Sequence, residues 1–243
     1  MTTLIDAVGQ ASNALRAGDR RLLVIWQNPA TKTFTRVGRL TERGDGSFEF
    51  SYVEGVDKLD GFRPISGFPR FGEVYASPTL SAFFANRVMS ADRENFHQYL
   101  QWIGLNQVEP GRLPVELLVR TGGGRATDLF HIVEEPDFAR SSFVSRFFVS
   151  GLWHADRTFE RVAQLSPGDL LLLRPDVANP VNPFAIYLEI AEGEPIGWVP
   201  DWLCGELSFA EAGGYKLAAE VERVSVDAPN HLRVLCRVTA ERA

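Results

Sequence analysis

Cysteine is scarce in this sequence, with only Cys204 and Cys236 among 243 residues and no CxxC spacing. A disulfide framework or a thiolate cluster needs more of them, so both read as buried thiols among apolar neighbours. The four histidines, His97, His131, His154 and His231, stand singly and never at zinc-ligand spacing with a cysteine, so no metal is expected. Long apolar runs are missing too: none approaches the roughly 20 residues of a membrane span. The opening "MTTLIDAVGQASNALRAGDRR" places its apolar residues before its basic cluster and breaks them with Asp6, which is not the order of a secretion signal. A cytoplasmic chain without a membrane partner is expected. Positive charge is also short, with 25 Lys and Arg against 31 Asp and Glu and a net charge of -6. From Ser145 onward nine basic residues face fourteen acidic ones, which disfavours adhesion to nucleic acid by bulk electrostatics.

Signatures of catalysis are absent as well. Gly122, Gly123 and Gly124 are not followed by the Gly-Lys-Ser/Thr that would hold a nucleotide and its magnesium. No His-Arg-Asp loop and no Asp-Phe-Gly occur, so phosphoryl transfer lacks its base and its magnesium-binding acid. Cys204 with a distant histidine is the one nucleophile pairing on offer, and nothing local supports it. The expectation is a chain that is not an enzyme and takes no cofactor.

What is present is rich in strand signals. Leu4, Ile5, Val8, Ala11 and Leu15 fall at helical intervals ended by Gly18, predicting a helix within residues 1–20. "RLLVIWQ" reads as a buried strand, and "TFTRVGRL" and "GSFEFSYV" alternate around the turn residues Gly44, Asp45 and Gly46, giving a three-strand meander. From Leu59 to Ser77 the chain has no clear period and reads as a long loop. "SPTLSAFFANRVM" and "SADRENFHQYLQWIGL" read as helices, the second capped by Ser90 and stopped by Gly104. "PVELLVR" and "LFHIVEE" read as a hairpin around the glycine run. The polar "EPDFARSS" around Pro136 is the linker, separating a domain at 21–140 from one at 145–243. Beyond it come "SFVSRFFVSGLW", a helix over "RTFERVAQL", the strands "DLLLLRP", "FAIYLEI" and "PIGWV", a helix from Asp201, and a closing hairpin of "YKLAAEVERVSV" with "HLRVLCRVTAE". Many short strands with one or two helices predict a small barrel. The fold class is therefore α+β, mainly β.

The stretch "NPVNPFAIYLEI" carries two Asn-Pro pairs three residues apart, leading into a strand. Asparagine bonds its own backbone and proline fixes φ, so this is a stiff loop, either a plain turn or the rim of a pocket. With "FFVSGLW", "LSPGDLLLLRP" and "EPIGWVPDWLCGEL" in order around it, the C-terminal half resembles the HIRAN domain, over most of Phe147 to Ser225. That resemblance implies an OB-like small barrel whose Asn-Pro loop edges a pocket for the 3′ end of single-stranded DNA, with bases stacked on aromatic rings. The site it implies comprises Trp153, His154, Arg174, Asn179, Asn182 and Trp198. Asn179 matches the family's signature asparagine. Asn182 stands where an aspartate is usual, Val181 where a tyrosine is usual, and Trp153 with His154 where repair-type members carry Arg and Tyr, which removes a carboxylate and a tyrosine from the grip. Trp153, Phe184 and Trp198 can equally be read as barrel core, the commoner place for a strand aromatic.

The region Leu22 to Glu135, with "FRPISGFP", "LSAFFANRVMSADRENFHQYLQWIGL" and "RTGGGRATDLFHI", resembles the N-terminal subdomain of HipA-type toxin kinases. That implies a non-catalytic antitoxin subunit that restrains a HipA-like kinase partner. Phe62, Phe68, Phe71 and Tyr75 are then candidates for the contact surface, because aromatics dominate interface energetics, although the same rings can simply cap the sheet. The alternative function is a module for single-stranded DNA ends.

Overall fold

The computed structural model describes residues 18–124, 128–138, 140–152, 158–180, 182–190, 193 and 195–242. The first 17 positions of the expected N-terminal helix lie outside them, and Arg20 already opens a strand. The first sheet contains β1 (Arg20–Gln27), β2 (Phe34–Glu42), β3 (Phe48–Tyr52), β4 (Val74–Ser77) and β5 (Phe130–Glu134), in the antiparallel order β4-β3-β2-β1-β5. Strand β1 is an unbroken apolar run because both its faces are covered. Leu22, Val24 and Trp26 enter the core beneath the sheet, while Leu23 and Ile25 pack with Val133, Phe34 and Trp202 on the other side.

The long loop before β4 folds back on this core. Phe68 is buried, and Phe62, Phe71 and Tyr75 are partly buried against the same cluster. Phe50 lies 4.3 Å from Phe68, Trp26 5.3 Å from Phe62, and Tyr52 4.9 Å from Phe71. The Tyr52 hydroxyl donates to the Phe68 carbonyl and accepts from the Ile65 amide, stapling the loop down. Of the loop aromatics expected to present a docking face, Phe68 is buried and Phe62, Phe71 and Tyr75 are partly buried against the first core.

Three helices follow: α1 (Ala82–Ala85), α2 (Phe96–Ile103) and α3 (Leu113–Thr121). The last corrects the expected strand at "PVELLVR". Pro114 sits in the first turn, where its missing N–H is harmless, and Gly122 ends the helix at φ 71°. Ser90 does not cap α2; it lies six positions before the helix begins, and its hydroxyl accepts from the Asp92 amide.

The second sheet contains β6 (Ser142–Phe148), β7 (Leu170–Pro175), β8 (Ile186–Glu189), β9 (Pro195–Trp198), β10 (Tyr215–Val224) and β11 (Val234–Arg242), with α4 (Thr158–Gln164) and α5 (Asp201–Ala212). Its order is β6-β11-β10-β7-β8-β9. The two ends meet: the amides of Ser150 and Trp198 each donate to the other's carbonyl at 2.9 Å, closing the curl into a small barrel around Phe147, Leu188, Ile196, Leu207 and Val221. The strands approach this closely because residue 197 is glycine. A Cβ there would lie 2.5 Å from the Ser150 carbonyl oxygen and 2.5 Å from Val149 Cγ1.

The halves share a core. Tyr99, Leu100 and Ile103 of α2 and Leu117 of α3 pack with Phe148, Leu232 and Leu235 of the barrel side. Trp202 stacks on His131 (6.0 Å between ring centroids, planes 20° apart). Arg36 of β2 grips the buried Glu206 of α5 with two nitrogens, Nε at 2.7 Å.

Two outcomes follow. Gly197→Ala forces backbone apart at the closure and lowers stability by about 1–3 kcal/mol in denaturant titration, whereas Gly205→Ala, on α5 with open space around it, raises stability by about 0.5–1 kcal/mol. Burial and the nearby Arg87 charge hold His131 down at about 4 against the weaker pull of Asp128, so the fold keeps it neutral. The unfolded chain protonates first as pH falls through 6.5, so stability is full above that value and is lost progressively toward pH 4, on the order of 3 kcal/mol in all. His131→Gln flattens the pH profile of chemical denaturation in that window.

Candidate functional site

On β7 the side chains alternate, so Leu171 points into the barrel while Leu170, Leu172 and Arg174 point out. Pairing register carries Arg174 to Tyr187 on β8, and Tyr187 to Trp198 on β9. One cation and two aromatic rings therefore stand side by side on the outer face. The Tyr187 and Trp198 centroids are 4.8 Å apart, with planes tilted by 38°. Arg174 is 61% exposed, with its Nε 3.4 Å from a Glu189 carboxylate oxygen.

The Asn-Pro loop edges this row and is locked to it. Trp198 Nε1 donates to Asp176 at 3.2 Å, and Asn179 Nδ2 donates to the same oxygen at 3.1 Å. The Asn182 amide donates to Asn179 Oδ1 at 2.9 Å, and Asn182 Oδ1 accepts from the Phe184 amide at 2.9 Å. Asn182 Nδ2 then reaches across to Asp201, the first residue of α5, at 2.7 Å. Partial burial works to raise the Asp176 pKa, but donors from Asn179, Trp198, Tyr187 and the Ala178 backbone outweigh it, so the carboxylate sits below its ordinary value. Burial, and then the Asp176 charge and hydrogen bond, push the Tyr187 phenol up. The result is a fixed carboxylate beneath a pair of rings. Phe184, 44% exposed, stands at the loop's outer side.

Three solved chains are similar to this one, among them the following two. It is similar to the HIRAN domain of human HLTF, at 18% identity over 42% of this chain and 81% of that one, with a TM-score of 0.34. It is also similar to a protein from Lactobacillus plantarum, at 13% identity over 42% of this chain and 99% of that one, with a TM-score of 0.36. No family model matches the sequence, and no curated protein does.

Of the residues expected from the sequence, Arg174, Asn179, Asn182 and Trp198 come together around one loop. Trp153 and His154 lie outside the described residues. Trp198 is not barrel core; it belongs to the outer row, while its neighbours Ile196 and Val199 are the buried ones. Three further residues complete the site: Asp176, Tyr187 and Asp201. Asp176 and Asp201 bring carboxylates to a loop whose own sequence carries asparagine where an aspartate was expected. Among the described residues no group of His, Cys, Asp or Glu is placed to hold a metal ion.

Because Asp176 accepts from both the indole and the loop, Asp176→Leu frees Trp198 and unties Asn179. The expected result is a red-shifted, more quenchable tryptophan emission and faster proteolysis between 176 and 186, with the far-ultraviolet spectrum unchanged. Unaltered emission would mean that the carboxylate does not position the ring.

Proposed function

We infer that the barrel reads the end of a single-stranded nucleic acid and performs no chemistry on it. The observation that carries this reading is the outward row of Arg174, Tyr187 and Trp198, with Trp198 held in place by a carboxylate at a rigid loop. Every base has a π-face, so a locked aromatic pair is a sequence-tolerant platform worth about 1–3 kcal/mol per stacked base. The carboxylates of Asp176 and Asp201 beside it suit a terminal sugar hydroxyl, which donates, and repel a terminal phosphate. The ordered motif blocks that resemble HIRAN domains support the same reading.

Electrostatics set the mode of binding. An acidic barrel with Arg174 at the row's edge gains little from counterion release, so affinity has to come from stacking and hydrogen bonds. The cysteine that sequence reasoning held in reserve as a nucleophile fits a non-catalytic role: Cys204 donates to the Val199 and Pro200 carbonyls, and burial pushes its thiol up to about 12, far from a reactive thiolate. A kinase-restraining role has no comparable observation behind it, since the loop rings proposed for docking pack against the first core.

The test is titration of a short oligothymidylate with a free 3′ hydroxyl against one ending in 3′ phosphate. The free end binds about ten-fold tighter, Trp198→Ala weakens it about 5- to 100-fold, and log affinity falls with log salt at a slope near -1, as for one or two phosphates at about -0.7 each. Equal affinity for the two ends, or an undiminished Trp198→Ala variant, defeats the reading.

A further inference from the structure

Residues of β1, α3 and β5 in the first half and of β6 and α5 in the second line a cleft of about 40 Å³. Arg20, Glu116, Arg120, Glu134, Arg146 and Trp202 are among them. Solvent reaches this lining, since the Arg146 side chain is 36% exposed and that of Glu134 40%.

The charges here are unevenly matched. Arg20 commits all three guanidinium nitrogens, Nε and Nη2 to Glu134 at 2.7 and 3.1 Å and Nη1 to Glu116 at 2.8 Å, so both carboxylates are satisfied. Arg120 and Arg146 share one carboxylate, Glu222: Arg146 Nε donates to it at 2.7 Å, and Arg120 Nη1 lies 3.5 Å from its other oxygen. A third guanidinium stands close by. The point where a Cβ on Gly104 would sit is 3.2 Å from Arg223 Nε and 3.4 Å from Arg120 Nη1, and Arg223 has no ion pair among the described residues. The Ile103 carbonyl at the end of α2 takes one N–H from Arg120 at 2.8 Å. Arg120 Nε and Nη2, and both terminal nitrogens of Arg146, donate to nothing among the described residues. Burial, with the Arg146 and Arg223 charges added, lowers the Arg120 pKa against the pull of Glu222 and Glu116. In a chain of net charge -6, three guanidinium groups around one carboxylate are a local surplus of positive charge. Like charges held together away from bulk water are unfavourable until an anion joins them.

Size and donor placement define that anion. One water needs about 10–15 Å³ of such space, so the cleft admits about three waters or one small oxyanion. Guanidinium N–H groups bind phosphate and carboxylate through charge-assisted hydrogen bonds. The free donors come from two separate elements, α3 and β6, which suits oxygens pointing in tetrahedral directions over the planar pair of a carboxylate. We propose that this cleft binds a single phosphate-type oxyanion, held by Arg120 and Arg146, with Arg223 strengthening the local field.

The experiment uses the full chain and inorganic phosphate, read by thermal shift against sodium chloride of equal ionic strength and by phosphorus NMR line width. Phosphate is expected to raise the melting transition saturably, as a ligand of the folded state does. Arg146→Gln weakens its binding about 10- to 100-fold, the loss of one charged hydrogen-bonding partner. Glu222→Gln tightens it about ten-fold by removing the competing carboxylate, and the unliganded melting transition of each variant confirms that it folds. Adenosine monophosphate distinguishes the source: tighter binding of phosphate assigns a free ion, tighter binding of the nucleotide a phosphate ester. The proposal is overturned if acetate matches phosphate, or if the phosphate effect rises linearly with concentration as exclusion from the surface does. It is overturned equally if the effect survives Arg146→Gln or is unchanged in Glu222→Gln. These substitutions lie outside the row of Arg174, Tyr187 and Trp198, so this titration and the oligonucleotide titration succeed or fail separately.

Discussion

Two hydrogen bonds between Ser150 and Trp198 turn an open sheet of six strands into a barrel, and they form because residue 197 carries no side chain. Much else depends on that contact. It orients β9, which orients the Trp198 ring; the ring fixes Asp176, and Asp176 anchors the first asparagine of the loop. An edge strand left unpaired would offer its amides to solvent or to another chain. Here β9 has its edge partly covered at the very residue that the outer row uses.

Helix α5 ties this barrel to the first sheet. Its first residue holds Asn182, its second stacks on His131 and its sixth is gripped by Arg36. The buried Glu206 is better understood as fixing how the two halves meet than as a source of net stability. Desolvating two charges offsets much of their attraction, whereas leaving one unpaired is strongly unfavourable. A shared apolar core of Tyr99, Ile103, Leu117, Phe148 and Leu235 supplies the adhesion. The polar segment around Pro136 that was expected to be a linker therefore separates in sequence two sheets that are packed together in space.

Strands were legible where burial imposed a pattern. The continuous run at Leu22 to Trp26 and the alternation at Phe34 to Leu40 both became strands close to their expected bounds. "PVELLVR" misled because seven residues with apolar side chains at 115, 117 and 118 fit periods of 2 and 3.6 alike; Pro114 and Gly122 were the arbiters. Loop aromatics at 62, 68, 71 and 75 had no period to show which way they faced. In the site, Asn179, Asn182, Arg174 and Trp198 could be picked from motif order. Tyr187, Asp176 and Asp201 could not, because their proximity depends on the register between β7, β8 and β9 and on where α5 begins, and both are long-range facts.

Among the described strands, β6 has its ladder only with β11, some ninety positions later in the chain. During synthesis on a ribosome, Phe147 and Phe148 therefore emerge long before their sheet neighbour exists. The nascent chain must carry that sticky segment, bare or shielded by a chaperone, until β11 has been made. Slow translation across that interval lengthens the exposure, and with it the opportunity for aggregation through the unpaired strand.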